Sequence, residues 1–349
     1  MHETLHMKPA VSVLMPVYNA ASTLPASIGS VLGQTFSDLE LICVDDGSTD
    51  ASARLIGEAR RRDPRVRLIR GRRRGIVAAL NRGLRACSGT YVARMDADDI
   101  MDEERIERQL RFFNEAGQFD LIGARVRMIS DSGFLSSGVV RYEGWSNSLT
   151  EHDDIVREIF VESPLVHPTF FLGKEYYEKM GGYRGSPWAE DYDLILRAYL
   201  AGARFGKVPE TLLLWRDSAG RLIRNDARCK REAMFRAKVH YFVKKGLLEK
   251  RRSAVIAGSG PSGREVARLL LCEGVTIACF VDNREDPGRR TVMGIPAFGF
   301  PSPAPEGFFR AFAGSYFIVC IGDDAGRRDF VSGLERASLR QGKNFMRFL

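Results

Sequence analysis

The sequence predicts an α/β protein with two domains, in which a larger, mostly parallel sheet with flanking helices is followed by a smaller α/β domain. Short apolar runs alternate with segments of helical periodicity through the first hundred residues, which is the pattern of a parallel sheet. A second alternation of the same kind begins at Ala254. At 349 residues the chain is long enough to bury two separate cores.

Four strands are predicted in the first hundred residues, separated by three helices with apolar faces. Their sequences are VSVLMPVY, LELICVDD, VRLI and YVARM. Open α/β sheets bind ligands at the carboxyl ends of their parallel strands, and polar side chains follow three of these strands. The side chains are Tyr18 and Asn19, Asp45 and Asp46, and Asp96 and Asp98. We therefore expect a ligand site at this edge of the sheet.

The alternation becomes less regular after Phe119 and ends with another helix. Glu190 and Asp191 lie in the first turn of that helix, where negative charge suits the helix dipole. A basic amphipathic segment follows and is predicted to be a helical connector. The predicted domains are residues 1–224, the helical linker 225–250 and residues 251–349.

The composition, with 44% hydrophobic and 28% charged residues, is that of a soluble globular protein. No apolar run approaches the roughly 18 residues that suggest a membrane span. The first ten residues lack the basic start and apolar stretch of a secretory signal. The six cysteines are dispersed without a CxxC pair, which favours small core residues over disulfides or zinc ligands. We therefore expect a cytoplasmic protein.

The formal net charge of +8 is concentrated in one short, arginine-rich segment. Its arginines are Arg60, Arg61, Arg62, Arg65, Arg67, Arg70, Arg72, Arg73 and Arg74. Three interpretations are open: solvated surface, a patch facing ligand phosphates, or a patch facing acidic lipid or nucleic acid. Solvated surface is favoured, because runs of charge are usually just that. No aromatic residues are interleaved with the arginines, so we expect no nucleic-acid partner.

Three carboxylates, Asp96, Asp98 and Asp99, follow the predicted buried strand YVARM directly. A Mg²⁺-type ion takes one or two protein carboxylates and leaves its other positions to water and substrate phosphates. The cluster therefore fits a metal bound to a diphosphate. A helix predicted to begin near Asp102 offers an alternative, in which Asp96 or Asp98 caps that helix. The motif alone does not decide between the two.

Three glycines of the second alternation, Gly258, Gly260 and Gly263, fit the pattern G-x-G-x-x-G between a strand and a helix. Asp282 ends the next strand, where it can accept a hydrogen bond from a ribose hydroxyl. Such glycines let the backbone approach a pyrophosphate at a helix N-terminus. The alternative is that they make only a tight turn and close helix packing. Both interpretations stay open.

The first domain closely resembles the inverting glycosyltransferases of family 2, which have a GT-A fold. Four motifs in the right order carry this resemblance over about the first 220 residues. They are VSVLMPVYNAASTLPASIGSVLGQTFSDLELICVDDGSTD, NRGLRACSGTYVARMDADD, HPTFFLGKEYYEKMGGYR and AEDYDLILRAY. The resemblance implies a nucleotide-sugar donor and a divalent cation, Mn²⁺ or Mg²⁺.

The resemblance also implies roles for individual residues. The nucleoside positions correspond to Pro16, Tyr18, Asp45 and Asp46, and the DxD motif corresponds to Asp96 and Asp98. Asp98 would ligate the metal, while Asp96 would face the ribose or a metal-bound water. Asp191 would be the base that deprotonates the acceptor, with Glu190 beside it against substrate. The alternative for both of these acids is a simple helix N-terminal charge.

The chain departs from the family pattern after Trp215 and Arg216, where many relatives have a histidine shortly afterwards and this chain has Asp217 and Ser218. Arg216 is the predicted phosphate-binding residue here, with Arg221 and Arg224 as further candidates and surface charge as the alternative. His167 lies beside an apolar run and is assigned no chemistry. With the segment VDNREDPGRRTVMGIPAFGF, residues 251–349 resemble the small Rossmann-like domains found in some sugar acyltransferases and glycosyltransferases. This resemblance implies a nucleotide or dinucleotide ligand.

The expected function is inverting transfer of a sugar from a UDP- or GDP-linked donor to a hydroxyl of a glycan or lipid-linked saccharide. The alternative is a nucleotide or nucleotide-sugar sensing module with an inactive transferase domain. Peripheral contact with the inner face of a membrane stays open, because lipid-linked acceptors reside there and a basic surface can dock on anionic lipid. The sequence leaves open the donor sugar, the acceptor and the oligomeric state.

Overall fold

The computed structural model describes residues 8–115, 119–218, 226–248, 253–282, 290–300, 306–312 and 314–349. Backbone contacts divide these residues into two compact units. The second unit contains the described residues from Asp226 onward, together with two short segments, Arg157–Ser163 and Pro187–Ala189. All other described residues belong to the first unit.

The first unit is built on an eight-stranded sheet with the order β3-β2-β1-β4-β7-β6-β8-β5. Its strands are β1 Val11–Val17, β2 Leu39–Asp45, β3 Val66–Arg70, β4 Tyr91–Arg94, β5 Ile100–Met101, β6 Leu121–Ile129, β7 Phe171–Gly173 and β8 Phe205–Arg216. The predicted mostly parallel sheet is confirmed. Two short strands run against it, because β7 is antiparallel to β4 and β6, and β5 is antiparallel to β8.

The helices of the first unit flank this sheet. They are α1 Leu24–Leu32, α2 Ser52–Arg62, α3 Ile76–Ala86, α4 Arg105–Glu115, α5 Ser137–Ser148, α6 His152–Glu158, α7 Lys174–Lys179 and α8 Glu190–Leu200. Helix α1 shows why the apolar periodicity of the sequence predicts a helix here. Proline lies in its first turn, where the missing N–H costs nothing. Leu24, Ile28 and Val31 then bury one face against the sheet core.

Strand β1 lies in the middle of the parallel part and pairs with β2 on one side and β4 on the other. In this register Val17, the last residue of β1, lies opposite Asp45, the last residue of β2. The chain segments that follow β1 and β2 therefore start side by side. The side chains of β1 and β2 are almost completely buried, which explains their near-continuous apolar sequences.

The second unit contains a six-stranded sheet with the order β11-β12-β10-β9-β13-β14, in which only β11 is antiparallel to its neighbour. The strands are β9 Ser253–Ala257, β10 Ile277–Asp282, β11 Arg290–Val292, β12 Ile295–Gly299, β13 Ser315–Val319 and β14 Phe345–Arg347. The helices are α9 Arg231–Lys244, α10 Pro261–Cys272, α11 Glu306–Arg310 and α12 Asp324–Arg336. A smaller second α/β domain is thus confirmed.

Helix α9 falls within the segment predicted to be a linker, and the structure groups it with the second unit. The ammonium group of Lys238 on α9 is buried and donates to the carbonyl oxygens of Val161, at 2.7 Å, and Phe348, at 3.1 Å. This lysine joins three separate stretches of chain within the unit. The boundaries at residues 224 and 250 stay predictions.

Four of the six cysteines are buried, as predicted. Cys229 is only half-buried, and Cys272 is exposed at the end of α10, so the prediction of a core position is wrong for Cys272. The helical pattern of its segment is amphipathic, and Cys272 lies on the solvent side. No helix among the described residues combines the length and the apolar character needed to span a bilayer.

Candidate active site

Three carboxylates come together immediately after β4. The ligand oxygens of Asp96, Asp98 and Asp99 all lie within 4.8 Å of one another. We call the segment from Asp96 to Asp99 the carboxylate turn. Strand β5 follows the turn directly and α4 begins only at Arg105, so the alternative that Asp96 or Asp98 caps this helix is wrong. The distances are short enough for the three carboxylates to share one metal ion, and metal binding stays a prediction.

Two hydroxyl groups of α1 hold the carboxylate turn from one side. Thr23, just before the helix, donates to the carbonyl oxygen of Ala97 at 3.0 Å. Ser27, one turn later and fully buried, donates to the carbonyl oxygens of Ala97 at 2.9 Å and Asp99 at 2.7 Å. Neither residue is among those predicted from the sequence. A serine on the otherwise apolar face of α1 was the available signal, because a buried hydroxyl needs a partner.

Strand β8 holds the carboxylate turn from the other side through Arg216. Its backbone N–H donates to Oδ1 of Asp99 at 2.8 Å, and its Nε donates to the carbonyl oxygen of Asp98 at 2.8 Å. Its guanidinium group also forms an ion pair with Asp131. Arg216 was predicted to bind phosphate, whereas here the described contacts of its side chain position the turn. Arg221 and Arg224 lie outside the described residues.

Asp99 is the buried member of the carboxylate turn, with a relative exposure of 1%. Its Oδ2 has no hydrogen-bond partner among the described residues. Burial raises the pKa of Asp99 well above its usual value, and the charges of Asp96 and Asp98 raise it further. A divalent cation among these oxygens would offset both effects, so the donor set fits Mn²⁺ or Mg²⁺.

Asp96 has a different environment from Asp99. It forms an ion pair with the guanidinium group of Arg94, which is buried at the end of β4. Arg105, at the start of α4, donates to the carbonyl oxygen of Arg94 at 2.8 Å, and burial lowers the pKa of Arg105 to about 9. Two buried arginines therefore lie behind the acidic cluster and partly balance its charge.

The predicted nucleoside edge lies after β1 and β2. The Tyr18 ring is 40% exposed, and the guanidinium carbon of Arg73 lies 3.3 Å from its ring centroid. Asn19 has a φ of 49°, and its Oδ1 accepts a hydrogen bond from the backbone N–H of Thr49 at 2.8 Å. Pro16 lies inside β1 and is half-buried. Tyr18 is thus the predicted residue most open to a ligand on this side.

Asp45 and Asp46 are both buried and both accept backbone hydrogen bonds. Asp46 accepts from the N–H groups of Arg74, at 3.0 Å, and Gly75, at 2.7 Å. Asp45 accepts from the N–H of Ser48 at 3.2 Å. The pair therefore shapes the loops beside Tyr18, and any contact with a nucleoside uses the remaining lone pairs.

Asp191 is half-buried in the first turn of α8, and its Oδ1 accepts a hydrogen bond from the N–H of Tyr192 at 2.7 Å. Glu190, the residue before it, is buried. Both positions agree with the helix-terminal location expected from the sequence. Their roles as base and substrate-binding residue stay predictions.

Tyr183 is a buried residue in the loop that precedes α8. Burial raises its pKa, and its hydroxyl also senses the charges of Arg94 and Glu190, which oppose each other. The hydroxyl contacts Nε2 of His167 at 2.8 Å and the hydroxyl of Tyr177 at 3.0 Å. Burial lowers the pKa of His167 well below its usual value, which keeps the ring neutral. His167 is thus a buried, packed residue, and its lack of chemistry stays a prediction.

The loop that carries Tyr183 is clamped from two elements. Asn81 on α3 donates to the carbonyl oxygen of Tyr183 at 2.8 Å and accepts from its N–H at 2.9 Å. Arg197 on α8 donates to the carbonyl oxygens of Met180 and Gly182. Gly182 has a φ of 66°, and a Cβ there would lie 2.6 Å from Oδ1 of Asn81. Asn81 and Arg197 are not among the residues predicted from the sequence, although both lie within the quoted family motifs.

The glycine motif of the second unit lies between β9 and α10, as predicted. Gly258 has a φ of 102°, and a Cβ there would lie 2.8 Å from the carbonyl oxygen of Cys320. A Cβ on Gly263 would collide with the carbonyl oxygen of Gly258. Gly260 is different, because it has an ordinary φ of −69° and a Cβ there would have no described atom within 4 Å. The Asp282 carboxylate accepts a hydrogen bond from Ser259.

Comparisons with known proteins relate the first part of the chain to one family. Residues 12–181 match the family described as "Glycosyl transferase family 2". A putative glycosyltransferase of Bacillus subtilis, EpsE, is 30% identical over 60% of this chain and 74% of its own length. An uncharacterized glycosyltransferase of Haemophilus influenzae is 31% identical over 60% of this chain, and the match spans 65% of that protein.

A solved structure has the same fold. It is S. aureus TarS 1-349 in complex with UDP-GlcNAc, with a TM-score of 0.53 and 18% identity over 70% of this chain and 71% of the TarS chain. The predicted mixed, mostly parallel GT-A type sheet is thereby confirmed. The identity with EpsE, the match to the family description and the shared fold all agree, and the chain belongs to glycosyltransferase family 2.

Proposed function

We propose that this protein is a metal-dependent enzyme that transfers a sugar from a nucleoside diphosphate sugar to a hydroxyl group, with inversion at the anomeric carbon. One observation carries the proposal. Three carboxylates lie within 4.8 Å of one another, and the buried Oδ2 of Asp99 has no partner among the described residues. Such a cluster is unfavourable without a cation. Family membership supports the transferase class.

Asp98 is the proposed ligand of Mn²⁺ or Mg²⁺, with Asp96 and Asp99 close enough to contribute. When bound, such an ion offsets the negative charge that grows on a departing diphosphate. The chain's own part is to hold the three carboxylates in place. Thr23, Ser27 and Arg216 do this through the backbone of the carboxylate turn.

The reaction itself is a single displacement in this proposal. The acceptor oxygen forms a bond to the anomeric carbon from the face opposite the diphosphate. The bond from that carbon to the diphosphate oxygen breaks, and its electron pair stays on the phosphate. Asp191 takes the proton of the acceptor hydroxyl. Asn81 and Arg197 support this role, because they clamp the loop that precedes α8.

The donor is proposed to be a UDP- or GDP-linked sugar. Tyr18, exposed and stacked with Arg73, offers a flat surface beside Asp45 and Asp46, on which a base can rest. TarS was crystallised with UDP-GlcNAc, so UDP-sugars are the first donors to test. The proposed acceptor is a hydroxyl of a glycan or of a lipid-linked saccharide.

The test is a screen of UDP- and GDP-sugars for donor hydrolysis and for thermal stabilisation of the full chain, with and without Mn²⁺. We expect at least one donor to be hydrolysed and to raise the melting temperature only with the metal. Asp98→Asn should lose both effects, whereas Asp153→Asn, an exposed acid on α6, should keep them. If no donor binds or reacts and Asp98→Asn behaves like the unchanged chain, the proposal is wrong.

A second candidate function is nucleotide binding by the second unit. Gly260 favours it, because the described structure gives no steric reason for glycine at this position, whereas Gly258 and Gly263 are required by their neighbours. A nucleotide phosphate approaching the N-terminus of α10 would supply that reason. If the chain is a sensing module with an inactive first unit, the Asp98→Asn variant should bind nucleotide as tightly as the unchanged chain does.

A further inference from the structure

The positive charge of this protein belongs almost entirely to one stretch of chain. Residues 52–85 contain twelve arginines, no lysine and two acidic residues, which is a net charge of +10. Since the whole chain carries +8, the remaining residues together carry −2. The stretch comprises α2, β3 and α3, and β3 is the edge strand of the first sheet. The charge is therefore presented at one edge of the first unit.

Ion pairs within the protein use few of these arginines. Arg54 pairs with Glu58, and Arg65 pairs with Asp63. Arg67 pairs with Glu40, which lies outside the stretch. These pairs account for every acidic residue of the stretch. Several exposed arginines of the stretch have no ion pair among the described residues, and three of these lie around one groove. They are Arg60, Arg61 and Arg70.

The three arginines line one open groove. Its volume is about 650 Å³, and Gly57 and Leu68 complete its lining. Helix α2 contributes Arg60 and Arg61, while Arg70 comes from the end of β3. We call this groove and its three guanidinium groups the arginine groove. A guanidinium group binds a phosphate through two parallel N–H bonds, which an ammonium group does not do, so an all-arginine groove suits phosphate groups.

We propose that the arginine groove docks this protein on an anionic phospholipid surface. Charge complementarity argues for it, because the groups that line the groove are positive and have no ion-pair partners among the described residues. The open shape and the position at the sheet edge suit a broad surface of head groups better than a single enclosed ligand. Nucleic acid is disfavoured, because no aromatic side chain lines the groove to stack with bases.

The proposal is independent of the transfer reaction, since the groove contains none of the residues placed in the site. Its test is sedimentation of the full chain with vesicles of phosphatidylcholine, with and without phosphatidylglycerol, at low and high salt. The variant carries Arg60→Gln, Arg61→Gln and Arg70→Gln. The control carries Arg111→Gln, Arg236→Gln and Arg268→Gln, which are exposed arginines paired with glutamates elsewhere on the surface.

We expect the unchanged chain to bind the anionic vesicles only, and salt to weaken the binding. The groove variant should lose roughly 100-fold in partition coefficient, and the control less than about threefold. Donor hydrolysis without vesicles should be the same in all three proteins, so a failure here differs from a failure of the proposed function. Equal losses in both variants would overturn the proposal. So would equal binding to neutral vesicles, or binding of an oligonucleotide without any binding of anionic vesicles.

Discussion

Two groups of carboxylates lie in the first unit and have opposite environments. Asp45 and Asp46 follow β2, and each accepts at least one hydrogen bond from a backbone N–H. The carboxylate turn follows β4, and there Asp99 keeps a buried oxygen without a partner among the described residues, while two further carboxylates lie beside it. The chain satisfies the first group by itself and leaves the second group incomplete.

The difference shows how burial and charge separate structural acids from ligand-binding acids. Backbone N–H groups stabilise a carboxylate in place and cost the fold little. Clustered carboxylates repel one another, and burial increases the cost, so they persist where a cation completes them. Asp46 therefore shapes its loop through backbone contacts, whereas metal binding by the carboxylate turn is the role proposed above.

The largest expected effect is on catalysis and comes from Asp98→Asn. An amide keeps the size of the side chain but removes the charge that holds the cation, so donor turnover should fall by about 10³-fold. Stabilisation by Mn²⁺ in a thermal-shift measurement should disappear with it. Asp46→Asn is the matched control and should keep that stabilisation. If Asp46→Asn lost the Mn²⁺ effect and Asp98→Asn kept it, the metal would be bound by the acids after β2 and not by the carboxylate turn.

The next effect is on stability and concerns the other acid group. Asp46→Ala removes the acceptor for two backbone N–H groups, and we expect the free energy of unfolding to fall by about 2 kcal/mol. Asp45→Ala removes the acceptor for one N–H group and should cost about half as much. Urea unfolding of both variants measures the difference. Should Asp45→Ala prove more costly, the loop would depend on other contacts than those of Asp46.

The periodicity of the sequence was enough to predict the central strands and the edge at which the acids meet. It did not predict β7 and β5, because strands of three and two residues are too short to show a period. Thr23, Ser27 and Arg216 were missed as supports for another reason. They hold the carboxylate turn through its backbone carbonyl groups. The serine on the apolar face of α1 indicated that Ser27 needs a partner, but sequence spacing does not show which backbone group that partner is.

A smaller effect should appear in the pH dependence of the metal-free protein. The folded state holds a proton on Asp99 at pH values where the unfolded chain has lost it, because the folded pKa is raised by burial and by Asp96 and Asp98. The free energy of unfolding should therefore fall as the pH rises from about 4 through this raised pKa. Asp99→Asn should remove that slope in urea unfolding. Parallel slopes in both proteins would contradict an unfavourable charge at Asp99.

The smallest effect concerns the glycines of the second unit. Gly258 and Gly263 have close neighbours that require glycine, whereas Gly260 has open space beside it. Gly260→Ala meets no described atom and keeps an allowed φ, so the free energy of unfolding should change by less than about 0.5 kcal/mol. Gly258→Ala is the contrast, because its positive φ and the nearby Cys320 carbonyl should cost more than about 1 kcal/mol.

Calorimetric titration of the full chain with nucleotides then decides the role of Gly260. If Gly260→Ala binds nucleotide as the unchanged chain does, its open space serves no phosphate. Loss of binding at unchanged stability would show that the second unit binds nucleotide through this glycine.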